Sequence, residues 1–109
     1  MGRWSQRRRR GGGGLGSLSP SACNPITDAA VIDSDTLHVT FRDDVDCSGF
    51  TDGDMVDNST GGHASNINQI SAKVCEFNDW NAGIGNGEHY TLTSDNPPVC
   101  SPQTGTMHT

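Results

Sequence analysis

Residues 36–42 read TLHVTFR, and their alternation decides the class of the fold. Leu37, Val39 and Phe41 fall on one face, and Thr36, His38, Thr40 and Arg42 on the other. A period of two, rich in β-branched and aromatic side chains, predicts a strand with one buried face. Upstream, Ile26–Ile32 is a β-rich run after Pro25, and Asp33-Ser34-Asp35 is a turn sequence, so the two runs form a hairpin. Cys23 precedes this hairpin and Cys47 follows it. Both therefore lie at its open end, which makes a Cys23–Cys47 bridge geometrically reasonable.

Downstream the same grammar recurs. Asp46–Asn66 is turn-rich, with Phe50, Met55 and Val56 as its strong apolar anchors. Gln69–Phe77 is expected as a third strand, with Ile70, Ala72 and Val74 on one face. Asn78–Gly87 is a loop dense in Asn and Gly. His89–Thr93 alternates again with Tyr90 and Leu92 inward, and Pro97–Pro98 ends it. Thr104–Thr109 is a last short strand with Met107 inward, and its edge offers backbone groups to which another chain could add a strand. No segment of useful length has a helical period. Short strands separated by turn signals predict an all-β sandwich.

Size and composition limit what this body can do. Of 109 residues only 31% are apolar and 6% aromatic, with 14 glycines and five prolines. The core must be thin, and a small domain of this kind sits near the lower limit of independent stability. Nothing approaches the ~20 apolar residues of a membrane span, so no membrane partner is expected. Four cysteines, Cys23, Cys47, Cys75 and Cys100, lack any CxxC pair. That spacing argues against structural zinc and for two disulfides, with three connectivities possible. Disulfides point to an oxidising environment, yet no apolar export segment follows the basic N-terminus. A particle assembled in the cytosol and later released would reconcile the two.

Charge is segregated along the chain. Five of the seven basic residues, Arg3 and Arg7, Arg8, Arg9 and Arg10, lie in the first ten positions, while all 13 acids fall at or after Asp28. Residues 1–22 read as an Arg/Gly-rich arm and linker, and residues 23–109 as the folded domain. Arginine forks suit carboxylate or phosphate, and Trp4 among them suits insertion into a pocket. The arm is therefore read as a docking element (Arg3, Trp4, Arg7, Arg8, Arg9, Arg10). Its partner is an acidic neighbouring subunit, with nucleic acid as the alternative.

Other constellations carry less. Asp43, Asp44 and Asp46 form one acidic cluster. Asp52, Asp54 and Asp57 form a second, near a glycine turn, which makes them a weak calcium candidate although the spacing is not that of an EF-hand. The four histidines have no metal-ligand spacing, and His38 is expected on the outer strand face. Asn58-Ser59-Thr60 matches a glycosylation sequon. No pocket is indicated that would raise one carboxyl for acid–base work, and the cysteines lack a protease signature. No enzyme activity, cofactor or catalytic residue is expected.

The segments ITDAAVIDSDTLHVTF (26–41), DDVDCSGF (43–50), NQISAKVCEF (68–77), EHYTLTSDNPPV (88–99) and TGTMHT (104–109) together resemble the bacterial Ig-like domains of surface-layer and phage structural proteins. The resemblance covers about residues 24–109 and rests on strand cadence. The polar 51–68 segment and the four cysteines depart from it. It implies a small Ig-like antiparallel β-sandwich acting as a binding or structural module. A capsid decoration, cement or tail-associated protein of a phage virion fits best, contacting its own copies or the major capsid or tail protein. A secreted or cell-surface filament module and a nucleic-acid-packaging protein are the alternatives.

Overall fold

Leu37, Val39 and Phe41 are buried and their alternate neighbours only half so, which makes Thr36–Phe41 (β2) the central strand that its sequence predicts. The computed structural model describes residues 23–95 and 99–109. The arm and Pro97–Pro98 lie outside the described residues. Ile26–Asp33 (β1) pairs antiparallel with β2 through a two-residue turn, Ser34–Asp35, whose Asp35 amide donates to Asp33 Oδ1 at 2.8 Å. On the other flank β2 pairs with Val74–Asn78 (β5), which pairs with Asn66–Ser71 (β4). The first sheet is thus ordered β1-β2-β5-β4. Met55–Asp57 (β3), His89–Leu92 (β6) and Gln103–Thr106 (β7) form a second antiparallel sheet, ordered β3-β6-β7.

The architecture is all-β: two antiparallel sheets share one core, an arrangement compatible with a β-sandwich. Ala29, Leu37, Val39, Phe41, Cys75 and Phe77 enter the core from the first sheet, and Met55, Tyr90 and Leu92 from the second. Phe50 stacks on Phe41 at 5.9 Å between ring centroids and tilts against Phe77 at 5.4 Å. Trp80 closes the β1–β2 end, donating its indole N–H to Phe77 O at 2.9 Å while its amide donates to Asp35 Oδ1 at 2.9 Å.

Three expectations are corrected. Residues 69–77 are not one strand but parts of two, β4 and β5, reversing at Ala72–Lys73. The buried residues are Cys75 and Phe77, whereas Ile70 is 49% exposed. No Gly, Asn or Pro marks this turn. The end of β2 and the loop after it hold it instead, with Phe41 N–H donating to Lys73 O and Val45 N–H to Ala72 O, each at 2.8 Å.

The disulfides are Cys23–Cys100 and Cys47–Cys75, not Cys23–Cys47. A parallel bridge between Asn24 and Val99 brings Cys23 beside Cys100, with Cα atoms 4.8 Å apart. Cys75 faces the core opposite Val39, and the 3₁₀ turn Cys47–Gly49 carries Cys47 against that same inner face.

The chain end, finally, is not left open. His108 forms a parallel bridge to β1, accepting from Val31 N–H at 2.7 Å and donating its own N–H to Ala29 O at 3.0 Å.

Two substitutions test these constraints. Gly105 opposes Tyr90 in the β6–β7 register, and a Cβ there would lie 2.6 Å from the Tyr90 Cζ. Gly105→Ala is expected to destabilise by about 1–3 kcal/mol or more through overpacking. Replacing Cys47 and Cys75 together by Ala is expected to cost about 3–4 kcal/mol, from the chain-entropy value of a loop that size. Urea unfolding of the oxidised chain checks both.

Candidate functional site

The arm joins the described body at Cys23, and the surroundings of that junction form the candidate site. Asn24 is only 1% exposed and acts as a two-way clamp on the loop after β2. Its Oδ1 accepts from Asp43 N–H at 2.8 Å, and its Nδ2 donates to Asp43 O at 2.9 Å. Arg42 reaches back, donating from Nη2 to Cys23 O at 3.2 Å. The Cys23–Cys100 bond and the Asn24–Val99 bridge fasten the same junction to the segment before β7. Gln69 braces the neighbouring loop, its Oε1 accepting from Cys47 N–H and its Nε2 donating to Val45 O.

The first acidic cluster sits here. Arg42 Nη2 pairs with Asp43 Oδ2 at 2.8 Å, and Lys73 Nζ lies 3.7 Å from Asp44 Oδ1. The Arg42 contact holds the Asp43 carboxyl below its ordinary range. Asp46 caps the 3₁₀ turn, accepting from the Ser48 hydroxyl at 2.6 Å and its N–H at 3.1 Å, and these donors lower its carboxyl too. Arg42 and Lys73 are the body's whole complement of Lys and Arg, and the structure places both on this cluster.

The second cluster disperses. Asp52 Oδ1 lies 2.9 Å from His63 Nδ1. Asp54 accepts from Thr51 N–H at 2.9 Å and stabilises the turn before β3. Asp57 is completely buried in β3, where its Oδ1 accepts from Ser59 N–H at 2.8 Å. Among the described residues no group of three His, Cys, Asp or Glu side chains is placed to hold a metal ion.

Sequence reasoning missed two features. His38 pairs with Glu76 at 3.0 Å across β2 and β5, and His108 pairs with Asp28 on β1. His38 lies on the outer face as expected, but its partner emerges only from the strand register. Glu76 is lowered by His38, and His108 is raised by Asp28. The second is an acid pair. Asp57 Oδ2 is buried without a hydrogen-bond partner, and Glu88 is held above its ordinary range chiefly by the Asp57 carboxyl beside it. Two carboxyls in contact cannot both ionise cheaply.

Comparison with known protein families, with curated proteins and with solved structures finds no match.

The acid pair yields a prediction with a definite sign. A raised folded-state value means that Glu88 contributes most below its ordinary pKa and that this contribution is lost as pH rises through the folded value. Glu88→Gln removes the ionisation and supplies an N–H donor to Asp57 Oδ2. The variant is expected to melt above wild type at neutral pH, with the difference closing below about pH 4, where carboxyls protonate. Thermal melts across that pH range check it, and equal melting temperatures at neutral pH would refute it.

Proposed function

We propose that this chain is a non-enzymatic structural module of an assembled particle, an Ig-like β-sandwich anchored by its basic arm. The best-fitting setting is a phage virion, as a capsid decoration, cement or tail-associated protein. One observation carries the reading. The body carries 13 acids against two basic side chains, Arg42 and Lys73, and both of those lie on Asp43 and Asp44.

The five arginines of the arm are the complement of that surplus, and the same surplus is present on every neighbouring copy. Charge complementarity of this kind steers and registers an encounter more than it tightens it. An arm of about 20 residues spans up to roughly 65 Å when extended, so it can reach an adjacent subunit. A contact between one copy's arm and the next copy's body is heterologous and builds rings, filaments or lattice anchors. Cys23–Cys100 supports such a role, because tension on the arm would load a covalent bond rather than a frayed strand.

The two disulfides also favour a second reading, a secreted or cell-surface filament module that folds in an oxidising compartment. Nucleic-acid packaging through the arm is weaker, because the acidic body repels a polyanion.

Full-length protein with Arg3 and Arg7–Arg10 changed to Gln separates the three. Docking predicts salt-sensitive self-association, or binding to the particle, in the wild type, and its loss in the variant by sedimentation velocity. Binding of random duplex DNA, falling with a salt slope near −4.5 for about five phosphate contacts, would instead favour packaging. Association that ignores both salt and the arginines would overturn the arm's role.

A further inference from the structure

The sheet edges are not equally covered. On β1 the edge is met by His108. On β3 it is met by the returning chain, through the Val56–His63 bridge and Ala64 N–H donating to Met55 O at 3.1 Å. Beside β7, the Gln103 side chain accepts from Ile26 N–H at 2.8 Å, and the chain runs on from β7 to its bridge with β1. Only β4 differs. Among the described residues no backbone hydrogen bond joins residues 66–70 to any segment other than β5.

The composition of β4 is equally distinctive. Its sequence is NINQIS, and the uncharged stretch runs from Ala64 to Ala72 in a body with 13 acids. It lacks the edge charge or proline that usually blocks pairing, and its irregularity is confined to the register shift between Gln69 and Ser71 at its far end. All its residues except Ile67 are exposed, and Ile70 is one of two large apolar side chains that stand out in solvent among the described residues.

We propose that β4 is a self-pairing edge, at which two copies align their β4 strands antiparallel about a twofold axis through Asn68. The occupant is a second copy for an electrostatic reason. An acidic body repels its own kind at most approaches, but this edge brings no charge against charge. The nearest acid on the sheet is Glu76 on β5, held by His38 and Asn68. In the joined sheet the two Glu76 carboxylates lie three strand spacings apart, about 14 Å at ~4.8 Å each. That exceeds the screening length of roughly 8 Å at physiological salt.

The register follows from the pleat. Antiparallel partners share a face, so centring on Asn68 sets Asn66 against Ile70 of the other copy, Ile67 against Gln69, and Asn68 against its twin. This register uses the edge from Asn66 to the register shift at Ile70. It covers half-exposed Ile70 and lets two asparagine amides meet across the axis. The resulting eight-stranded sheet needs no movement of the core. An edge contact of this length falls at the small end of specific interfaces, below roughly 1,200 Å², so the dimer is concentration-dependent.

A charge-swap experiment on the full chain tests this, run at high salt to screen any association through the arm. Wild type should show a reversible monomer–dimer equilibrium by sedimentation. Asn68→Lys and Asn68→Asp each place like charges face to face and should both be monomeric. Mixed in equal amounts they should re-form a heterodimer, at least tenfold tighter than either variant alone. Ile70→Lys, at an exposed position, should weaken the wild-type dimer without loss of fold. Far-UV circular dichroism and the intact mass of both disulfides confirm folding in each case. A wild type that is monomeric at every attainable concentration, a dimer indifferent to Asn68→Lys, or folded variants that do not rescue each other would each overturn the proposal.

Discussion

The Cys47–Cys75 bond is the constraint on which the rest of the body depends. Cys75 faces the core from β5, opposite Val39 of the central strand. Bonding to it forces the chain that leaves β2 to turn under the sheet rather than run past it. That turn delivers Phe50 between Phe41 and Phe77, joining the aromatic contacts of the core. The same path sets Val45 and Cys47 where the Gln69 amide can bind their backbone. The chain-entropy value of this cross-link is about 3–4 kcal/mol, and of the longer Cys23–Cys100 loop about 4–5 kcal/mol. Against the 5–15 kcal/mol typical of whole domains, either one is a large share for a body with so few apolar residues.

The acidity of the body has two sources, and only one concerns partners. Several aspartates are turn-builders: Asp33, Asp46, Asp54 and Asp57 each accept a nearby backbone N–H, and Asp35 accepts that of distant Trp80. Short polar side chains of this kind stabilise turns that glycine-rich loops would otherwise leave loose. These carboxylates are present for the fold and would exist without any basic partner. Apart from buried Asp57, their charge still accumulates on the surface, and two basic side chains do not cancel it. The arm and the acidic body are thus complementary even though part of that acidity arose from loop chemistry.

The two proposed contacts, self-association through β4 and docking through the arm, are independent in physical kind. One depends on backbone hydrogen bonds along a neutral edge, and the other on screened charge. A twofold edge contact makes closed pairs, while an arm-to-body contact is head-to-tail. A subunit that used both would link closed pairs through their arms, a connectivity suited to covering a larger surface.

Local signals carried much of the fold into the sequence. The stripe of Leu37, Val39 and Phe41, the Ser34–Asp35 turn, and the inward Tyr90, Leu92 and Met107 were legible, because alternation records which face of a strand is dry. The all-β class and the charge segregation were equally plain, since composition and order alone define them. Tertiary structure alone decided the reversal at Ala72–Lys73, whose carbonyls are held by Phe41 and Val45 from a distant segment. It alone decided the cysteine pairing, which depends on a parallel bridge at Asn24 and on which face of β5 Cys75 occupies. The pairing of His38 with Glu76, the contact of Asp57 with Glu88 and the uncovered edge of β4 belong to the same class. Each depends on strand register between segments far apart in sequence, and register is set by packing the whole core at once rather than by any local pattern.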